Sequence, residues 1–170
     1  MRIGIGLDVH PFKSGRACVL GGVNIPCDQG LDGHSDADVC IHALIDALLS
    51  ASRLDDIGSY FPPSDPQLEG ISSILMLRKV AAIVRDHGFD ILDCDLVIAA
   101  DVPRISPHRL EMRTRMAKAM GIDLDNIGIK ATTCEGLGFV GKREGIVAQA
   151  VALLDTRSKR DVQPKSDSCA

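Results

Sequence analysis

A chain of 170 residues, 45% hydrophobic and 25% charged, has the size and apolar content of one globular domain with its own core. Its formal net charge of −4 and pI near 5.7 argue against a nucleic-acid partner, because such domains carry a basic face. A polyanionic small molecule stays open, since a metal ion can supply positive charge locally.

Residues 2–8 (RIGIGLD) alternate apolar and polar and predict a strand. Residues 17–25 predict strand material broken at Gly21-Gly22 by a bulge or tight turn, and 26–35 a Gly- and Asp-rich loop. A helix is expected from about Asp36 to Ser52, with Ser35 as N-cap and Asp36 and Asp38 in the first turn. Residues 55–70, with three prolines and two glycines, predict a long loop over a site. A second helix covers about Ile71–His87 and stops at Gly88. A strand at 90–99 and a helix from about Pro107 to Met120 follow, with Gly121 just past the helix end. A strand at 126–132 leads into a Gly-rich loop at 136–145. The segment 146–154 fits helix or strand, and 156–170 is polar and predicts a disordered tail. Strands alternating with helices imply an α/β or α+β layered domain with helices on one face of a sheet.

Aromatic residues make up only 3%, with no Trp, so the core has to be aliphatic. The cysteines at 18, 27, 40, 94, 134 and 169 form no C-x-x-C pair, and predict reduced thiols, mostly small core residues. With no leader-like start and no apolar run near 18 residues, the expectation is a cytoplasmic protein with no membrane partner.

Four constellations carry candidate chemistry. Asp8-x-His10 at a strand end puts a carboxylate and an imidazole on one face. With His42 on the first helix they make a two-His, one-carboxylate set of the kind that holds catalytic zinc. Asp38 and Asp46, four residues either side of His42, are candidates to hold a ligand's outer ring nitrogen. A chance D-x-H pair and a core histidine fit the same residues. Gly33-His34-Ser35-Asp36 precedes a helix, where free N–H groups suit phosphate, or where Ser35 simply caps. Thr132-Thr133-Cys134-Glu135 offers two hydroxyls and a carboxylate for phosphate and a hard cation, or merely ends a strand. The stiff segment Ala100 to His108 offers backbone groups to a base or sugar, or is an ordinary connection.

Long motifs in fixed order then point further: G-x-G-x-D-V-H at 4–10, GGV-x-IP at 21–26, G-HSDADV-x-x-HAL-x-DALL at 33–49, DIG-x-x-FP-x-x-DP at 56–66, PRISPH at 103–108 and KATT-x-E-x-LGF-x-G at 130–141. Over about residues 1–155 the chain resembles the 2-C-methyl-D-erythritol 2,4-cyclodiphosphate synthase family of the non-mevalonate isoprenoid pathway. The resemblance implies a phosphorus–oxygen lyase. The 2-phosphate of 4-diphosphocytidyl-2-C-methyl-D-erythritol 2-phosphate attacks its β-phosphorus and CMP leaves.

It also implies the residue roles. Asp8, His10 and His42 would hold zinc, and Glu135 magnesium or manganese. His34 and Thr133 would stabilise the transition state, and Ser35 and Thr132 would contact phosphate. Asp56, Ile57, Gly58, Phe61, Pro62, Pro63, Ser64 and Asp65 match the loop over the erythritol. Ala100, Asp101, Val102, Pro103, Arg104, Ile105 and Ser106 match the cytidine pocket. Val9, Cys134, Phe139 and Lys142 complete the substrate-contact set. The fold implied is a single α+β sandwich at 1–155, its mainly antiparallel or mixed sheet covered by helices on one face and facing the axis of a homotrimer on the other. Active sites would lie between subunits, and 146–154 becomes a strand. The chain departs from the family pattern at Lys142, Glu69 and Ile5. The rival expectation is a trimeric metal-binding module that captures a nucleotide or isoprenoid diphosphate without turnover.

Overall fold

A computed structural model describes residues 1–157. Five strands form one sheet in the order β4-β1-β7-β5-β6: β1 Arg2–Lys13, β4 Gly30–Leu31, β5 Phe89–Ala99, β6 Ile127–Thr132 and β7 Gly145–Thr156. All pairings are antiparallel except β5 with β6, so the sheet is mixed, as expected. A separate hairpin joins β2 (Cys18–Leu20) to β3 (Val23–Ile25). Gly21 and Gly22 are its two turn residues, with φ of 57° and 76°, a turn that only glycine enters without strain.

Helices cover one face. They are α1 (Val39–Ser52), α2 (Ile57–Tyr60), α3 (Ser73–Asp86), α4 (Arg109–Met120) and α5 (Gly138–Gly141). The core lies between α1, α3, α4 and the inward residues of β5 and β7, and it is aliphatic apart from Phe61 and Phe89. Helix α1 lies directly on β1 because Gly4 and Gly6 have no side chain there. A Cβ on Gly6 would come within 2.0 Å of the Ala43 carbonyl oxygen, and one on Gly4 within 2.1 Å of that of Ala47.

Several boundaries move for identifiable reasons. Helix α1 starts at Val39, because Ala37 takes a left-handed φ of 58° and Asp38, not Ser35, is the N-cap. The first-turn role expected of Asp36 and Asp38 is therefore wrong. Helix α3 starts two residues late because the Ile71 carbonyl accepts the Asp36 N–H at 3.1 Å and Ser72 stays extended. Residues 55–70 are not a bare loop: they contain α2 and a 3₁₀ turn at Pro66–Leu68, tied to α1 where Ile57 N–H donates to Asp46 Oδ1 at 2.9 Å. A 3₁₀ turn at Ser106–His108 precedes α4, which ends on Gly121 as expected.

The ambiguous segment is the central strand β7. Ile146, Ala148, Ala150, Ala152 and Leu154 all point into the core, which is period two rather than 3.6. The supposed tail does not begin at 156. Thr156 belongs to β7, and Arg157 is held by its N–H to the Gly88 carbonyl at 2.8 Å and by its guanidinium to Asp90 at 2.7 Å. The rest of that segment and Cys169 lie outside the described residues. Of the five described cysteines, all free, Cys18, Cys40 and Cys94 are buried. Among the described residues no helix is long and apolar enough to cross a membrane.

Candidate metal centre and phosphate site

Strand alternation builds the centre. Gly4, Gly6, Asp8 and His10 follow one another on the helix-facing side of β1. The two glycines bring α1 close, and His42, on its first turn, then meets Asp8 and His10. Asp8 Oδ2 lies 3.0 Å from His10 Nε2 and 3.1 Å from His42 Nδ1, and the two nitrogens are 3.1 Å apart. Tetrahedral zinc with bonds of about 2.0–2.1 Å needs ligand atoms roughly 3.3 Å apart, so the triangle fits with small adjustment.

The outer ring nitrogens fix the tautomers. His10 Nδ1 sits 2.5 Å from the Asp32 carbonyl, which can only accept, so Nδ1 carries the proton and Nε2 turns a lone pair inward. His42 Nε2 faces Ser35 Oγ at 3.1 Å and Ser73 Oγ at 3.0 Å. Neither Asp38 nor Asp46 holds it, contrary to expectation. Asp38 is wholly buried and accepts from the backbone of Gly21, Gly22, Cys40 and Ile41, while Asp46 accepts from Ile57. Burial pushes the Asp38 carboxyl up to about 6 against those donors.

Around the triad is a cavity of about 220 Å³, lined also by His34, Ser35, Ile57, Gly58, Phe61 and Pro63. His34 Nε2 stands 3.4 Å from the Asp65 carbonyl, spanning from the glycine-rich turn to the loop. Arg16 holds that turn from behind, donating to the Gly33 carbonyl at 2.7 Å and to the Ser35 carbonyl. Asp56 and Asp65 cap short helical turns instead of lining this cavity, as do neither Pro62 nor Ser64. Val9 points to the opposite face of the sheet, being the odd member of the alternation.

The other predicted group assembles elsewhere. Thr132 ends β6 beside Ala99, and Asp101 Oδ1 accepts the Cys134 N–H at 2.8 Å, joining segment 100–106 to segment 132–135. Thr133 Oγ1 donates to the Glu135 carboxylate, and Glu135 itself takes a left-handed φ of 51°. Phe139 lies in α5 and Lys142 caps its end. Three strand spacings of about 4.8 Å separate β6 from β1, so within one chain this group stands on the order of 14 Å from the triad. Sequence patterns missed Ser73 and Arg16, which sit in segments with no motif, and placed Asp36 in the Gly33–Asp36 constellation and the first helical turn without its contact to Ser73.

Comparison with known proteins bears on the whole domain. The chain is 54% identical over 157 residues to the 2-C-methyl-D-erythritol 2,4-cyclodiphosphate synthase of Dehalococcoides mccartyi, covering 92% of this chain and all of the relative. It is 54% identical over 154 residues to that of Moorella thermoacetica, covering 91% and 94%. Among solved structures, a CDP-bound form of 2C-methyl-D-erythritol-2,4-cyclodiphosphate synthase superposes with a TM-score of 0.83 at 40% identity, over 91% of this chain and 100% of the other. The Plasmodium falciparum IspF CDP complex gives 0.81 at 31%, over 92% and 97%. With the YgbB family model matching residues 1–155, the chain belongs to the YgbB family.

Proposed function

We propose that this chain is a 2-C-methyl-D-erythritol 2,4-cyclodiphosphate synthase. The observation that carries the reading is the triad of inward-facing ligand atoms in a cavity wall, in a chain alike over nine-tenths of its length to enzymes of that name. In the reaction the 2-phosphate oxygen of the cytidyl substrate forms a bond to the β-phosphorus. The bond from that phosphorus to the bridging oxygen breaks, and CMP departs with that oxygen. The difficulty is electrostatic, since one anion must approach another.

Zinc on Asp8, His10 and His42, with magnesium or manganese on Glu135, would supply Lewis acidity and positive charge to the diphosphate. His34 and Ser35 present donors beside the triad, and Thr132 and Thr133 present hydroxyls near Glu135. These groups are held in place before substrate arrives, so they need little reorganisation as charge shifts. Ile57, Gly58, Phe61 and Pro63 line the cavity, where they would cover the erythritol. Backbone groups of 100–106 take the cytosine edge. No protein nucleophile is required.

The chain works as a homotrimer with each site shared between two subunits. Two observations support this. One is the gap between the triad and the 132–135 group within one chain. The other is the exposed apolar row Ile3, Ile5, Leu7 and Val9 on the uncovered sheet face. Incubation of the protein with the cytidyl substrate, zinc and magnesium should release CMP and the cyclic diphosphate. Tight CDP binding by a zinc-loaded protein with no CMP release would instead leave a binding module.

A further inference from the structure

We propose that Asp36 and Ser73 are positioning residues that set which nitrogen of His42 faces the metal. The inference rests on the metal reading above, although neither residue is a ligand. Ser73 Oγ lies 3.0 Å from His42 Nε2, and on its other side it meets Asp36 Oδ1 in a short hydrogen bond. Asp36 Oδ2 accepts the Ser73 N–H at 2.9 Å, which fixes the carboxylate. Ser73 is wholly buried.

The direction of this chain follows from what each group can do. A carboxylate only accepts, so the Ser73 hydroxyl proton points to Asp36. The lone pairs of Ser73 Oγ then face His42, and Nε2 must be the nitrogen that donates. A cation held among Asp8 Oδ2, His10 Nε2 and His42 Nδ1, which lie about 3.1 Å apart, takes the Nδ1 lone pair, and the proton on Nε2 then needs the acceptor that Ser73 supplies. Ser35 Oγ, 3.1 Å from the same Nε2, cannot set the direction, because its hydroxyl can both give and take. It already accepts the Ala37 N–H at 3.1 Å. The orienting carboxylate thus comes from the turn before α1 and acts through the first residue of α3.

The chain makes an unusual prediction for an isosteric change. In Asp36→Asn one side-chain atom still accepts the Ser73 N–H, and the other becomes an NH₂ aimed at Ser73 Oγ. The hydroxyl must then turn its own proton toward His42 Nε2, where it opposes the N–H that a cation-bound imidazole carries. Ser73→Ala removes the relay but leaves Ser35 Oγ able to accept from Nε2. The expected order of zinc affinity is therefore unaltered chain, then Ser73→Ala, then Asp36→Asn. The Ser73→Ala loss should be at least about 10-fold and the Asp36→Asn loss nearer 100-fold.

Two measurements test this on the full chain. Zinc affinity is read by competition with a chromophoric chelator. The His42 Nε2–H of the zinc-loaded protein is read by ¹H–¹⁵N NMR, with a slowly exchanging proton expected in the unaltered chain and a fast-exchanging one in Asp36→Asn. A fast-exchanging Nε2–H in the unaltered chain, or equally slow exchange in Asp36→Asn, overturns the relay. So do equal affinity losses in both variants that track a fall in melting temperature, since that marks a structural role. Absence of zinc binding by the unaltered chain sinks the metal reading, whereas zinc binding of unchanged affinity in both variants sinks the relay alone.

Discussion

Burial alone would raise the pKa of Asp8, but hydrogen bonding and charge from His10 and His42 outweigh it and hold the carboxyl well below the usual range. Burial would likewise depress His10, yet Asp8 raises it above the ordinary 6.5. The signs define a window in the metal-free protein. Stability from Asp8 is present above its unfolded pKa, about 3.9, and lost as pH falls. Stability from His10 is present below 6.5 and lost as pH rises through its raised folded value. The pair therefore contributes most between these limits. A cation at the same atoms must displace the proton on His10, so zinc should bind more tightly as pH rises and release a proton. Calorimetry at pH 6 in two buffers of different ionisation enthalpy checks this, and a buffer-independent heat would contradict it. His34, whose ring faces the Asp65 carbonyl and which is not one of the three triad ligands, has a separable effect. His34→Ala should lower kcat about 100-fold, the usual cost of one donor aimed at developing charge, with zinc content unchanged. Loss of zinc alongside activity would count against that role.

Among the elements, the contact between β1 and α1 governs the centre, because it carries all three triad residues on two adjoining backbones. Gly6→Val places branched carbon where a Cβ already meets the Ala43 carbonyl oxygen at 2.0 Å. Overpacking of this kind costs about 1–3 kcal/mol or more and must push α1 off the strand. Urea unfolding should show that loss together with weakened zinc binding, whereas Gly15→Ala, which meets no neighbour but strains a left-handed φ of 80°, should cost some stability and leave metal binding intact. The G-x-G-x-D-x-H spacing was legible as a strand with its chemistry on one face. What its glycines are for was not, since their absent side chains matter only against a helix more than thirty residues later. Asp38 and Asp46 show the same limit. Helical spacing placed both near His42, but spacing does not say which backbone donors will reach a carboxylate first.

Across the whole molecule, the proposed trimer rests on the uncovered sheet face. Ile3 and Leu7 are 70% and 61% exposed, and Val97 and Val151 continue the apolar surface on β5 and β7. Leu7→Glu should lower the sedimenting mass to that of one chain and abolish CMP release while far-UV circular dichroism stays unchanged. A full-sized, active assembly would refute the shared site. The sequence by itself determined the size and aliphatic character of the domain and most of its strands and helices, because period is a local property of the chain; spacing left Asp8, His10 and His42 open, and only the family resemblance singled them out as a set. Composition left 146–154 open between helix and strand and the resemblance made it a strand, but only tertiary structure decided that it is the central one, with backbone partners on both sides. Only tertiary structure put Asp36 and Ser73 behind His42, because a hydrogen bond between residues 37 positions apart depends on where two helices begin, and no spacing rule records that.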